Sequence, residues 1–148
     1  MSNLLSKASI LLTPTATSDG TLHSVKPIQT FGSELVTNGN FATDTDWSVN
    51  AGWSISDGKA NLDTDNGTLN LTQSNVLVVG KKYRLSLNAN LTVGSVKFES
   101  GEGDNFVFTG DVDSHIFVAD STQVIFRRQV VPTRGYIDNV SIVEVTDG

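Results

Sequence analysis

The residues of this chain that could do chemistry are its carboxylates and its two histidines, because the 148-residue sequence has no cysteine. A hydrolytic Ser-His-Asp triad needs its three side chains within hydrogen-bond reach of one another. Asp113, Ser114 and His115 are adjacent, but neighbours on a strand point to opposite faces of a sheet. His23 lies in a different segment. The spacing therefore predicts that the chain has no triad.

The acidic residues offer many pairs, and glycoside hydrolysis would need two carboxyl groups about 5–10 Å apart across one cleft. The acidic candidates are Asp44, Asp46, Asp63, Asp65, Glu99, Glu102, Asp104, Asp111 and Asp113. Most of these residues fall in predicted turns, where Asp favours hydrogen bonds to the local backbone. The glycine-rich stretch 101–104 lacks the Lys-Ser/Thr end of a phosphate-binding loop. We predict that the protein is not an enzyme.

The two tryptophans are the candidates for a binding surface. An exposed indole can stack on the apolar face of a sugar ring, whereas a buried indole supplies large core contacts. Trp53 shares a strand face with the apolar Ile55, which favours the core, while Trp47 follows the acidic Asp44-Thr-Asp46 loop and fits either role. We keep Trp47 and Trp53 as candidate glycan-binding residues.

Composition and charge exclude several classes of partner. The formal net charge is −6, so the surface repels phosphate backbones and nucleic-acid binding is not expected. No run approaches the roughly 20 apolar residues of a membrane span. The basic pairs Lys81-Lys82 and Arg127-Arg128 sit in alternating patterns, which favours solvated strand faces. The missing cysteines exclude disulfides and zinc thiolate sites.

From residue 34 onward the pattern predicts only strands and turns. Apolar and polar residues alternate in short runs, with Asn-Gly and Asp-Gly turn signals spaced roughly 8–12 residues apart. The predicted strands are 34–37, 47–50, 52–56, 59–63, 67–73, 81–90, 93–99, 105–109, 112–118, 123–130 and 135–145. This spacing predicts an all-β antiparallel sandwich or jelly roll, whose first and last strands lie side by side.

Residues 1–33 differ from the rest and read as an extended arm or loose hairpin ahead of a module at 34–148. An isolated hairpin is only marginally stable in water, so its apolar side chains must cover a surface. They could pack on their own sandwich or on a neighbouring subunit, and the second alternative predicts a symmetric homo-oligomer, with a trimer as the expected state. These candidate assembly residues are Leu4, Leu5, Ile10, Leu11, Leu12, Leu22, Val25 and Ile28.

The stretches Leu35-Val-Thr-Asn-Gly-Asn-Phe41, Gly80-Lys-Lys-Tyr-Arg-Leu-Ser86 and Tyr136-Ile-Asp-Asn-Val-Ser-Ile142, with the two tryptophans, carry a resemblance. Together, over residues 34–145, they resemble the jelly-roll carbohydrate-binding modules found beside xylanases and cellulases. The resemblance implies two antiparallel sheets, with glycans along a concave face or at loop tips.

The same resemblance implies a structural calcium between the first and last strands. Asp138 matches the last-strand ligand, but Ala42 stands where the family has an acidic residue, and Asp44 and Asp46 are the nearby substitutes. Calcium prefers six to eight oxygens, several of them from carboxylates. The alternative is that Asp138-Asn139 satisfies hydrogen bonds at the strand edge. Otherwise no cofactor is expected.

The leader Leu4-Leu-Ser-Lys-Ala-Ser-Ile-Leu-Leu-Thr-Pro-Thr-Ala16, followed by Ser18-Asp-Gly-Thr-Leu-His-Ser-Val-Lys-Pro27, resembles the N-terminal segment of structural proteins of tailed bacteriophages. It implies a virion protein, assembled in the host cytoplasm, that decorates the head or forms part of a tail fibre. Capsid or tail proteins would then be its partners. The alternative function is a glycan-binding module for adsorption to host-surface polysaccharide.

Overall fold

Eleven strands form the regular structure of the residues described by the computed structural model, which are 28–65, 70–103 and 105–147. These ranges contain no helix, and so none long and apolar enough to cross a membrane. The strands are β1 Thr30–Glu34, β2 Ser48–Val49, β3 Trp53–Ser56, β4 Lys59–Thr64, β5 Asn70–Gln73, β6 Lys82–Val93, β7 Val96–Glu99, β8 Asn105–Phe108, β9 Gly110–Val118, β10 Val124–Arg128 and β11 Thr133–Thr146.

The strands form two antiparallel sheets within one compact unit, Gln29–Thr146. Sheet A has the order β3-β4-β11-β6-β9 with β1 also on β11, and sheet B has the order β2-β5-β10-β7-β8. From β4 to β7 and again from β8 to β11, the chain changes sheet at every step. This alternation is the connectivity of a jelly roll, which confirms the predicted fold class.

The longest strand, β11, joins the two ends of the sandwich. It pairs with β6 along most of its length, with β4 over residues 133–137 and with β1 near its end, where Phe31 lies opposite Val145. The predicted contact between the first and last strands is therefore confirmed. The first strand of the described residues, however, spans Thr30–Glu34 and not 34–37.

The carboxylate of Glu34 explains where β1 ends. Its Oε1 atom accepts hydrogen bonds from the backbone N–H groups of Leu35, Val36 and Ile142, at 3.0, 2.9 and 2.9 Å. A side chain thus takes the place of a strand partner for Val36, and the chain leaves the sheet there. The same carboxylate ties the first strand to β11.

The core lies between the two sheets and is rich in aromatic rings. Phe98 of sheet B contacts Phe117 of sheet A edge to face, with ring centroids 4.9 Å apart, and also contacts Phe126 at 5.5 Å. Edge-to-face geometry is a preferred arrangement of aromatic pairs. These rings are buried and come from positions that alternate with outward-facing residues on each strand.

A buried amide fixes the long loop between β1 and β2. Gln73 accepts a hydrogen bond from the Thr37 N–H at 2.9 Å and donates to the Thr37 carbonyl at 2.8 Å. Its Nε2 atom also donates to the Asp46 carbonyl at 3.3 Å. Because a buried polar group must be paired, this amide holds both ends of the loop against β5.

The predicted arm falls almost entirely outside the described residues. Leu4, Leu5, Ile10, Leu11, Leu12, Leu22 and Val25 lie there. Ile28 is described, and 78% of its surface is exposed.

We expect Gly39→Ala to destabilise the sandwich. A Cβ atom on Gly39 would lie 2.1 Å from the Val140 carbonyl oxygen, and this backbone is held by the bond from the Val140 N–H to the Gly39 carbonyl. Forcing the segments apart should lower the free energy of unfolding by about 1–3 kcal/mol, measured by denaturant titration.

Gly110→Ala is the matched control, because a Cβ atom there has no neighbour within 4 Å. Its unfolding free energy should stay within about 0.5 kcal/mol of the wild type. Equal losses in the two variants would contradict the close approach at Gly39.

Candidate functional site

Both tryptophans are core residues. Trp47 is 7% exposed and Trp53 is 5% exposed. The Trp47 ring packs against Phe41 and Phe126, and its indole N–H donates to the Asn38 carbonyl at 3.1 Å. Trp53 lies on β3 opposite Leu62, which is also buried. The core alternative therefore describes both residues, and neither ring offers the exposed face that sugar stacking needs.

His115 lies in an aromatic stack. Its ring is 3.9 Å from that of Phe106 at an interplanar angle of 14°, and 6.0 Å from that of Phe117. Asp113 and Ser114 are exposed, whereas the His115 ring is half-buried between the sheets. The imidazole therefore acts as a packing group at the edge of the core.

Asp138 and Asn139 make local hydrogen bonds at the edge of β11. Asp138 Oδ1 accepts the Asn139 N–H at 2.7 Å, and Asn139 Nδ2 donates to Asn88 Oδ1 at 2.8 Å. These are the local hydrogen bonds expected if Asp138-Asn139 satisfies polar groups at the strand edge. In the described part of the chain, no three carboxylate or imidazole side chains converge as metal ligands, and calcium needs several. Calcium binding through Asp138 stays a prediction.

A pocket of about 300 Å³ lies beside the Glu34 carboxylate. It is lined by residues of the 34–40 segment and by Asn139, Val140 and Ser141. Three of its polar side chains are already bonded internally. Asn38 binds the backbone of Thr43 and Thr45, Glu34 binds the N–H groups of β11 and of its own segment, and Asn139 binds Asn88. The pocket is thus part of the junction between the first and last strands.

The outer face of sheet B carries a cluster of polar and charged side chains. Register places Asn70, Arg127, Lys97 and Val107 side by side across β5, β10, β7 and β8. A second row beside it holds Thr72, Ile125, Glu99 and Asn105. Residues directly opposite on paired strands have Cβ atoms about 5 Å apart, so each row is continuous.

Glu99 organises this face. Its Oε2 atom is 2.6 Å from Lys97 Nζ and 3.2 Å from Arg127 Nη1, and Arg127 Nε donates to Asn70 Oδ1 at 3.0 Å. We call Asn70, Lys97, Glu99 and Arg127 the Glu99 cluster. Glu99 is only 7% exposed, although it points away from the core. Burying a carboxylate is costly unless charged partners compensate it.

The Glu99 cluster is positively charged overall, because two cations share one carboxylate. The chain as a whole carries −6, so the cluster is a local exception. The Lys97 and Arg127 side chains remain 21% and 32% exposed. Arg127 Nη2 binds none of the described residues and can donate to a ligand, as can the Lys97 ammonium. The arrangement can bind hydroxyl or carboxylate oxygens.

This cluster was not predicted from the sequence. Arg127-Arg128 was interpreted as a solvated strand face, and Arg127 does lie on the outside of β10. Arg128 has buried Nε and Nη1 atoms, so the interpretation was wrong for that residue. The alternation Ser95-Val-Lys-Phe-Glu99 put Lys97 and Glu99 on one face of a strand. The sequence therefore indicated that Lys97 and Glu99 share a strand face, but it did not indicate that β7 pairs with β10, which brings Arg127 beside them.

Comparison with known proteins finds no matching family model and no matching curated protein. Among solved structures, the chain is similar to "BiXyn10A CBM1 APO", with 16% identity and a TM-score of 0.48, over 84% of this chain and 100% of that one. It is also similar to a module described as "CBM4 structure and function", with 20% identity and a TM-score of 0.46, over 74% and 99%. What those carbohydrate-binding modules bind is a property of those proteins.

We expect Glu99→Gln to destabilise the protein although it preserves the shape of the side chain. The change removes the negative charge that compensates Lys97 and Arg127, and hydrogen bonds to charged groups contribute about 1.5–3 kcal/mol. Because both cations keep some contact with water, the expected loss in unfolding free energy is about 1–2 kcal/mol by denaturant titration.

Glu102→Gln provides the control, since this side chain is exposed in the neighbouring loop. Its effect should stay within about 0.5 kcal/mol. If Glu99→Gln were equally silent, Glu99 would not be the residue that holds the cluster together.

Proposed function

We propose that this protein is a non-catalytic glycan-binding module, and that its binding surface is the outer face of sheet B around the Glu99 cluster. The observation that carries the proposal is the burial of Glu99 on the outer face of a sheet. A polar side chain in that position would normally be left in water. Here it is buried to hold two cations and one amide in fixed positions, which is the pre-organisation that binding requires.

The dimensions of the face suit an extended ligand. Adjacent strands lie about 4.8 Å apart, so the four neighbouring strands β5, β10, β7 and β8 present a row about 14 Å across. Asn70, Thr72 and Asn105 can both donate and accept hydrogen bonds, as sugar hydroxyls require. A chain of several sugar rings could therefore lie along the row.

The charge of the face favours acidic sugars. Arginine binds carboxylates with two parallel N–H donors, and such charge-assisted bonds are roughly twice as strong as neutral ones. The paired positions of this face carry no aromatic residue. Binding would therefore depend on hydrogen bonds and charge instead of stacking, and would weaken as salt increases.

The test is calorimetric titration with an oligogalacturonate and with a neutral oligosaccharide of the same length. We expect the acidic ligand to bind, and Arg127→Ala to weaken it by about tenfold or more. Arg134→Ala is the control, because it removes the same charge from a residue of sheet A. Equal affinity of both variants, or no acidic ligand bound, would contradict the proposal.

A role in a tailed phage particle is the second candidate, supported by the resemblance of residues 4–27 to the leader of phage structural proteins. In this role the arm attaches to a capsid or tail protein or to a sister subunit, and the sandwich is displayed on the virion. Arms of this kind can attach by adding a strand to a partner's sheet edge. Glycan binding and display are compatible, since the Glu99 cluster lies on β5, β7 and β10, which follow residues 4–27 in the chain.

Removing residues 1–28 tests this second candidate, because the deletion leaves β1 intact. We expect the truncated chain to keep its β-rich circular dichroism spectrum and cooperative melting but to be missing from purified particles. Full-length Arg127→Ala, with an intact arm, should still be incorporated. Incorporation of the truncated chain would overturn the arm's proposed role.

A further inference from the structure

Two valines on the outer face of sheet A are buried near the end of β11. Ile142 points into the core, so Val143 and Val145, one and three residues later, point outward. They are nevertheless only 8% and 5% exposed. Phe31 of β1 lies opposite Val145 on one side of the strand. Arg84 of β6 lies opposite Val143 on the other side.

The side chains of Phe31 and Arg84 meet above these valines. The guanidinium carbon of Arg84 lies 4.1 Å from the centroid of the Phe31 ring. A guanidinium stacks on an aromatic face because its charge is attracted to the ring and its plane is weakly hydrated. Since β11 runs between β1 and β6, both side chains lean over that strand, and the contact holds the guanidinium in place.

The guanidinium of Arg84 lacks an acceptor. Its Nε atom is buried and has no hydrogen-bond partner among the described residues, and Arg84 belongs to none of their ion pairs. A buried donor is normally paired, and leaving it unpaired costs free energy. The side chain as a whole is half-buried, so its terminal nitrogens still reach solvent. A carboxylate fits this group, because arginine binds it with two parallel N–H donors.

Exposed apolar side chains border the guanidinium. Ile116 of β9 lies opposite Arg84, and Val118 lies two residues further along the same strand. Ile116, Val118 and Phe31 are 42%, 50% and 46% exposed. A contiguous apolar patch on the surface is typical of an interaction site. We call this surface the Arg84 face, and its members are Phe31, Arg84, Ile116, Val118, Val143 and Val145.

The acids near the guanidinium leave its charge uncompensated. Glu34 is separated from it by β11, and its Oε1 atom already accepts three backbone N–H groups. Glu144 pairs with Lys81 at 2.8 Å. The nearest acid of β9, Asp113, lies three residues before the position opposite the guanidinium, and Lys82 of β6 adds charge of the same sign. An occupant that brings a carboxylate therefore complements this face.

The width of the Arg84 face fits an extended peptide. From β1 to β9 the face covers four neighbouring strands, which is about 14 Å at about 4.8 Å per spacing. In an extended chain, residues i, i+2 and i+4 point to one side and also span about 14 Å. An acidic residue at i+2 then reaches the guanidinium, while apolar residues at i and i+4 lie over β9 and over Phe31.

We propose that the Arg84 face binds an extended segment of a partner protein with the pattern apolar-x-acidic-x-apolar. The carboxylate accepts hydrogen bonds from Arg84, and the apolar side chains cover Ile116 and Val118 on one side and Phe31 on the other. This surface is independent of the proposed glycan site, because the Glu99 cluster lies on sheet B. It gives the module a protein contact in addition to a glycan contact.

The experiment is an NMR titration of the full chain with the peptide Ser-Ser-Leu-Ser-Glu-Ser-Leu-Ser-Ser, following backbone amide shifts. We expect shifts at residues 31, 84, 116 and 118 and none at residues 97 and 127. A matched peptide with Gln in place of Glu should bind about fivefold more weakly or worse, because it loses the charge-assisted bond. Arg84→Gln should weaken binding of the acidic peptide by a similar factor. Arg134→Gln, at the other end of β11, is the control and should leave it unchanged.

Ile116→Ser keeps the test decisive if Arg84→Gln fails to fold, because Ile116 is exposed. It should weaken binding by about three- to tenfold with an unchanged melting temperature. The proposal is overturned if the acidic peptide shifts none of these residues at ~2 mM, a concentration above the millimolar Kd of weak ligands, or if both variants bind it with wild-type affinity.

Two other occupants of the Arg84 face would also overturn the proposal. If hexanoate at the same concentration shifts the face as strongly as the peptide, the ligand is a free organic acid. If sedimentation velocity shows a dimer that Ile116→Ser abolishes, the occupant is a second copy of this chain. We expect hexanoate to cause no comparable shift, and the wild type and Ile116→Ser to sediment alike.

Discussion

The register of β11 is the constraint on which the rest of the structure depends. This one strand pairs with β4, β6 and β1, so its alternation sets the two faces of most of sheet A. Ile137 and Ile142 point into the core, while Arg134 and Tyr136 point out. Because the side-chain period of a strand is two, a slip of one residue would exchange these faces. The irregular register between Asp138 and Ser141 changes the alternation once, beside the junction with the first strand.

Two carboxylates carry out structural tasks of different kinds. Glu34 binds backbone N–H groups from both ends of the sandwich and so closes it. Glu99 binds two cationic side chains and so fixes the chemistry of an outer face. Glu99 is buried, and a desolvated carboxylate needs several donors, whereas Glu34 is exposed and acts only by binding the backbone. Through Glu99 and its two cations, the outer face of sheet B gains a local positive charge.

Much of the fold was predictable because alternation is local. Strands such as β3 and β10 appear within a few residues of their predicted positions. The end of β1 at Glu34 was not predictable, because it depends on where the Glu34 carboxylate finds distant N–H groups. The role of Trp47 was undecided for a related reason, whereas the pattern already favoured the core for Trp53. A ring is buried or exposed according to what the opposite sheet places against it, and no local pattern contains that information.

The sequence by itself determined the β class, the antiparallel sandwich, the pairing of its first and last strands, and which residues share a strand face. These follow from period-two patterning and turn residues, which act over a few positions. Only the tertiary structure decided which faces became neighbours. Lys97 and Glu99 meet Arg127, and Phe31 meets Arg84, because strands distant in sequence pair in one register. Hydrogen bonds and ion pairs act over a few ångströms, so sites of this kind exist only once that pairing has formed.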